Sequence, residues 1–114
     1  MATQVLETNV RQRDGIVVID LRGEIDSFGE VALNAAYAEA KTLNASSILL
    51  NFKDVNYINS TGIALIVGLI AQARKAGHKL MVSGLSDHYR EIFEVTRLSD
   101  FMTIFPDEEA ALKN

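Results

Sequence analysis

The stretch SILLNFKDVNYINSTGIALIVGLIAQARKAGHKLMV, residues 47–82, decides the fold of this chain. It opens with a compact apolar run, Ser47–Phe52, which is typical of a buried strand. A polar connection over 53–59 leads to a segment with helical periodicity, Ser60–Ala76, and then to a second apolar run, Lys79–Val82. A strand, a helix and a strand in this order predict parallel pairing in an α/β layer fold.

The residues before this stretch predict a β-hairpin. Strands at Val5–Val10 and Ile16–Leu21 flank Asp14-Gly15, which is a strong turn signal. Gly23 is expected to break the second strand, and the first strand is expected to pair antiparallel at an edge of the sheet.

The remaining segments predict three more helices and a last strand. The first helix covers Gly29–Leu43, and another is capped by Ser86 and runs to about Thr96. A short strand at Met102–Phe105 precedes a terminal helix that opens at Pro106. The resulting order, ββαβαβαβα, predicts an α/β fold with a small mixed sheet of about five strands.

Composition and charge exclude several classes of protein. The 114 residues fit a single domain, 1–114, and the absence of cysteine removes disulfides and thiolate metal sites. A net charge of −4 argues against a nucleic-acid partner, which requires a clustered basic face. The start lacks a secretory signal, and the apolar run 63–71 is about half the length that spans a bilayer. We expect a cytoplasmic protein that binds no membrane.

The junction between the buried strand and the long helix is the candidate binding site. It runs from Asp54 to Gly62 and places two hydroxyls, Ser60 and Thr61, where the free N–H groups and dipole of a helix N-terminus favour an anion. The alternative is purely structural. Asn59 or Ser60 is the N-cap, and capping alone explains the composition of the segment.

The long helix raises a second question about its leucines. Four residues predict the stripe that faces the sheet: Ile63, Ile66, Val67 and Ile70. Leu65 and Leu69 project away from that stripe, so either another element covers them or they form an exposed apolar patch for a partner. We take the patch as the hypothesis to test.

The sequence contains few features that would indicate an enzyme. No Gly-x-Ser-x-Gly elbow occurs, and His78 and His88 are expected at the surface. No His, Asp and Glu residues have the spacing of a metal site. A small hydrolase that uses Ser60 is disfavoured because no base stands beside the serine. We therefore expect neither an enzyme nor a cofactor.

Two segments resemble the anti-sigma factor antagonists, the single-domain STAS proteins of bacterial partner-switching systems. Gly23-Glu24-Ile25-Asp26 is similar to their Gly-Glu-Leu/Ile-Asp signature. The segment 52–63 is similar to their central motif, in which an acidic loop leads into Asp-Ser-Ser/Thr-Gly-Leu at the start of a helix. The resemblance extends from about Val5 to Leu112 and implies a small sheet with helices mainly on one face.

The resemblance also implies a function. Such proteins are not enzymes. They bind a serine-kinase anti-sigma factor, the kinase phosphorylates the serine at the helix start, and a metal-dependent serine phosphatase reverses the modification. By position, Ser60 is the phosphoacceptor, with Thr61 the less favoured candidate. The implied partner-binding residues are Asp26, Asn59, Ser60, Thr61, Gly62, Leu65 and Leu69.

Asn59 departs from the family pattern, which usually has an acidic residue there. Asparagine preserves capping but removes a negative charge beside the acceptor, which puts the efficiency of phosphorylation in question. The alternative to a sigma-factor output is a binding or scaffold module of the same fold, such as a stressosome component or a lipid-transporter subunit.

Overall fold

The structure, a computed structural model, describes residues 5–113. Residues 1–4, on which part of the expectation about a secretory leader rests, and Asn114 lie outside the described residues. The strands are β1 Glu7–Arg13, β2 Ile16–Ile25, β3 Ser47–Ile58, β4 Lys79–Ser83 and β5 Thr103–Phe105. The helices are α1 Glu30–Thr42, α2 Ser60–Ala76, α3 Asp87–Val95 and α4 Glu108–Leu112. Short 3₁₀ turns lie at Ser27–Gly29 and Leu98–Asp100.

The described strands form one mixed sheet in the order β1-β2-β3-β4-β5. β1 pairs antiparallel with β2, whereas each of the other neighbouring pairs is parallel. The main core lies on one face of the sheet, where α1, α2 and α3 pack, and a smaller core under α4 lies on the other. The predicted α/β class, the element order and the antiparallel edge strand are confirmed.

The central strands are longer than the sequence predicts. Gly23 does not end β2 but lies within it, with a φ of +103°, at one of two irregularities in the pairing with β3. The segment 53–59, expected as a polar connection, is strand as far as Ile58. Its polar residues hold strand geometry because the extended part of β2 pairs with them, up to Ile25 opposite Ile58.

The buried stripe of α2 also differs from the predicted one. Its buried residues are Gly62, Ile66, Leu69, Ile70 and Ala73, which rotates the stripe by about 60° from the predicted direction. Val67 is 45% exposed, whereas Leu69 is 1% exposed and Leu65 is half-buried against the main core. The hypothesis of an exposed leucine patch is therefore wrong for Leu69.

An ion-pair network fastens α4 across the edge of the sheet. Arg11 of β1 contacts Asp20 at 2.7 Å and also binds Glu108, while Arg13 contacts Glu109 at 2.7 Å. The Arg11 guanidinium holds the pKa of Asp20 and of Glu108 below the ordinary carboxyl value. The network thus joins β1 and β2 to α4.

Within residues 5–113, no helix combines the length and apolar character that a membrane span requires.

Candidate functional site

The strand–helix junction is held by its own capping group. The Asn59 side chain accepts a hydrogen bond from the Gly62 amide at 2.8 Å, and the Asn59 carbonyl accepts one from the Ile63 amide at 2.9 Å. Of the two capping residues that the sequence allows, Asn59 is the N-cap of α2, and Ser60 is the first residue inside the helix. The Ser60 hydroxyl is thus not needed for capping.

Gly62 brings the start of α2 against the end of β2. A Cβ on this residue would lie 2.0 Å from the Ile25 carbonyl oxygen, so only glycine allows this approach. The same oxygen accepts a hydrogen bond from the Asn59 amide at 3.2 Å. The end of β2 and the first turn of α2 are therefore in direct backbone contact, and this contact requires glycine at position 62.

Asp26 follows directly after this contact. Its carboxylate caps the 3₁₀ turn Ser27–Gly29 by accepting a hydrogen bond from the Phe28 amide at 3.0 Å. Because Ile25 touches the start of α2, the Asp26 backbone lies beside the junction, and the turn that it caps contacts α2. An acidic group thus stands on the strand end that abuts the helix start.

Ser60 and Thr61 are both exposed to solvent. They are the first two residues of α2, whose amides have no acceptor within the helix. A group attached to the Ser60 hydroxyl would project into solvent beside the positive end of the helix dipole. The arrangement presents a solvent-exposed hydroxyl at a helix N-terminus, where the dipole favours an anion.

The structure thus brings most of the predicted site residues together. Asn59, Ser60, Thr61 and Gly62 form the first turn of α2 and its cap, and Asp26 lies on the adjoining strand end. Leu65 lies one turn further along the helix and is half-buried, and the buried Leu69 is not part of this surface.

Two residues near this junction were not identified from the sequence. Phe28, in the turn after Asp26, is a large apolar side chain that is 75% exposed. The hydroxyl of Tyr89, on α3, accepts a hydrogen bond from the Ile58 amide at 2.9 Å. A phenylalanine in the connection directly before the predicted helix Gly29–Leu43 is a signal that could have been used. The Tyr89 contact depends on how far β3 extends, which periodicity does not reveal.

Comparison with known proteins identifies a matching domain family and curated relatives. Residues 7–111 match the STAS domain family. The chain is 26% identical over 108 residues to an anti-sigma-B factor antagonist of Bacillus subtilis, which covers 95% of this chain and 98% of that protein. It is likewise 26% identical over 99 residues to the anti-sigma-B factor antagonist of Staphylococcus aureus, covering 87% and 92%.

Solved structures share the fold. An anti-sigma factor antagonist from Mycobacterium paratuberculosis superimposes with a TM-score of 0.84 at 21% identity, covering 98% of this chain and 95% of that one. The Bacillus cell fate determinant SpoIIAA, in its phosphorylated form, gives 0.69 at 23% identity, covering 94% and 98%. A sulfate transporter family protein from Wolinella succinogenes gives 0.74 at 19% identity, covering 87% and 83%. The match over residues 7–111 and the shared fold show that this chain belongs to the STAS domain family.

Proposed function

We propose that this protein is an anti-sigma factor antagonist of a partner-switching system. In this proposal it is not an enzyme. It binds a serine-kinase anti-sigma factor through the start of α2 and is released when that kinase phosphorylates Ser60. The observation that carries the proposal is the exposed Ser60 hydroxyl, free of any capping role, at the first position of a helix held in place by Asn59 and Gly62. The names of the two curated relatives support the same role.

Phosphorylation at this place switches binding without unfolding the domain. A phosphate adds a charge of about −1.5 to −2 at neutral pH. The dipole at the start of α2 favours that charge by roughly 0.3–1 kcal/mol. In a complex the same dianion must lose its water near Asp26 or against acidic groups of the partner, which costs affinity. Almost complete release of a bound partner requires a loss of affinity of about 10⁴-fold. The phosphate charge can contribute to this loss directly because it lies at the interface.

Ser60 is the preferred acceptor over Thr61 because of geometry. Thr61 lies one residue further along α2, so its side chain points about 100° around the helix axis. Its β-branched side chain is also stiffer about χ1. A metal-dependent serine phosphatase is the proposed partner that removes the phosphate, and the proposed location is the cytoplasm.

Ser60→Ala is expected to abolish phosphorylation while leaving partner binding intact. The measurement is intact mass after incubation with ATP and candidate serine kinases, followed by fragment mass spectrometry. Thr61→Ala is the matched control, and its mass should still increase by one phosphate group. Ser60→Asp weakens binding less than phosphate does, since it adds one charge. Phosphate found only on Thr61, or undiminished labelling of Ser60→Ala, contradicts the assignment.

Asn59→Asp is expected to keep the fold and the unphosphorylated complex but to change the rate of phosphorylation. Aspartate caps helices as well as asparagine does, so the hydrogen bond to the Gly62 amide is retained. The difference is one negative charge beside the acceptor. Asn59→Ala is the comparison that removes the cap, at a cost of about 0.5–2 kcal/mol. Kinase assays on the wild type, Asn59→Asp and Asn59→Ala check this prediction. Equal phosphorylation rates for the wild type and Asn59→Asp would show that the added charge has no effect on the switch.

Purification from cells distinguishes the proposal from its alternative. Recovery of a small kinase with the protein supports an anti-sigma factor partner. Recovery of a large homologous shell or of a transporter supports a scaffold module instead, and in that case phosphorylation of Ser60 is incidental.

A further inference from the structure

Within residues 5–113, no strand pairs with the outer half of β3 on its β4 side. β4 pairs only with Ser47–Asn51, so β3 extends beyond it from Phe52 to Ile58. Helix α3 packs there instead, since Phe93 meets Phe52 edge-on with ring centroids 5.9 Å apart. The segment that leads to Ser60 is therefore flanked by β2 on one side and by α3 on the other.

Successive amides of this segment are bound from opposite sides. The Asn59 amide donates to the Ile25 carbonyl of β2 at 3.2 Å, and the Ile58 amide donates to the Tyr89 hydroxyl of α3 at 2.9 Å. Alternation of this kind is the normal pattern of a strand between two partners. The Tyr89 hydroxyl thus takes the place of the carbonyl that a longer β4 would offer.

Tyr89 is itself held firmly. Its amide is capped by the Ser86 hydroxyl at 3.3 Å, and its half-buried ring packs against the main core. These contacts place the Tyr89 hydroxyl against the Ile58 amide.

We propose that Tyr89 is a positioning residue for phosphorylation: its hydroxyl fixes the end of β3 and so the place of Ser60. The inference rests on the proposed function for its kinetic consequence, but its structural consequence can be measured without any kinase. Loss of this hydrogen bond makes the backbone more mobile two residues before Ser60. The Ser60 hydroxyl then spends less time in the position from which a kinase can phosphorylate it.

The test compares Tyr89→Phe with Tyr37→Phe. The first change removes only the hydroxyl oxygen and keeps the ring. The second removes a hydroxyl that contacts His78 Nδ1 at 3.3 Å, just past the far end of α2. Helix α2 has 17 residues and is about 25 Å long. The control therefore removes a tyrosine hydroxyl at the end of α2 that lies far from Ser60.

Hydrogen exchange of single amides is the first measurement. In Tyr89→Phe, the Ile58 and Asn59 amides are expected to exchange about fivefold faster. This factor corresponds to the net free energy that one hydrogen bond contributes to stability. In Tyr37→Phe these amides keep their wild-type rates. Unchanged exchange at both amides in Tyr89→Phe overturns the inference. Faster exchange throughout the protein, together with a lower unfolding temperature, shows a general loss of stability and overturns it as well.

Kinase kinetics are the second measurement. The kcat for phosphorylation of Tyr89→Phe is expected to fall two- to fivefold with little change in KM, since the recognised surface is intact. A rise in KM alone, or an equal loss of kcat in Tyr37→Phe, contradicts a positioning role. If wild-type protein is not phosphorylated at all, the proposed function fails, whereas the exchange result still decides whether Tyr89 holds this junction.

Discussion

Leu69→Arg is expected to unfold the protein or to destabilise it by more than about 4 kcal/mol. Leu69 is 1% exposed and belongs to the buried stripe of α2 in the main core. A guanidinium at this position would be buried among apolar side chains, and its volume exceeds that of the leucine. Thermal unfolding and the yield of folded protein measure the effect.

Val67→Arg is the matched control on the same helix. Val67 is 45% exposed, so arginine at this position reaches water, and stability should change by less than about 0.5 kcal/mol. The same variant tests whether the exposed side of α2 contacts the partner, because a rim charge there lowers affinity without changing the fold. Wild-type stability of Leu69→Arg would show that Leu69 is not in the core.

Gly62→Ala is expected to displace the start of α2 and to destabilise the protein by about 2–3 kcal/mol despite the better helix propensity of alanine. The new methyl group would lie 2.0 Å from the Ile25 oxygen and 2.8 Å from its carbonyl carbon. Both atoms belong to the backbone of β2 and cannot turn aside as a side chain would. The unfolding temperature should fall by roughly 10 °C. Partner binding should fall further, because Asn59 and Ser60 move with the helix.

Gly68→Ala, six residues along the same helix, separates this contact from propensity. A Cβ at Gly68 meets nothing within 4 Å, so alanine there is expected to stabilise the protein by roughly 1 kcal/mol. Opposite signs for the two substitutions would establish that the approach to β2 is the cause. A gain of stability in both would remove the steric argument for Gly62.

The sequence predicts elements whose signals are local. Helix α2 begins at Ser60 and ends at Ala76 as expected, with Gly77 in the left-handed conformation just past its end. Ser86 caps α3 as expected, accepting from the Tyr89 amide. Capping groups, helical periodicity and a glycine stop all act within a few residues, so they can be recognised without knowledge of the tertiary structure.

The candidate site is predicted in part for the same reason. The resemblance and the helix start pointed to Ser60, Thr61 and Asn59, and the structure puts these residues together in the first turn of α2 and its cap. The role of Gly62 was missed, since the need for glycine arises from the Ile25 oxygen, which is 37 residues away in sequence. Tyr89 was not identified, because its hydroxyl gains a role only where β3 extends beyond β4.

By itself, then, the sequence determined the α/β class, the order of the elements, the limits of α2 and the serine at its start. The terminal helix α4, predicted to open at Pro106, begins instead at Glu108, with Asp107 as its N-cap. Only the tertiary structure decided the lengths of β2 and β3, because a polar residue such as Asp54 becomes part of a strand when a partner strand pairs with it, here at Arg22. It also decided which side of α2 is buried. Gly62 lies against β2, Leu69 faces the core and Val67 faces solvent. Periodicity alone does not choose between these two apolar residues.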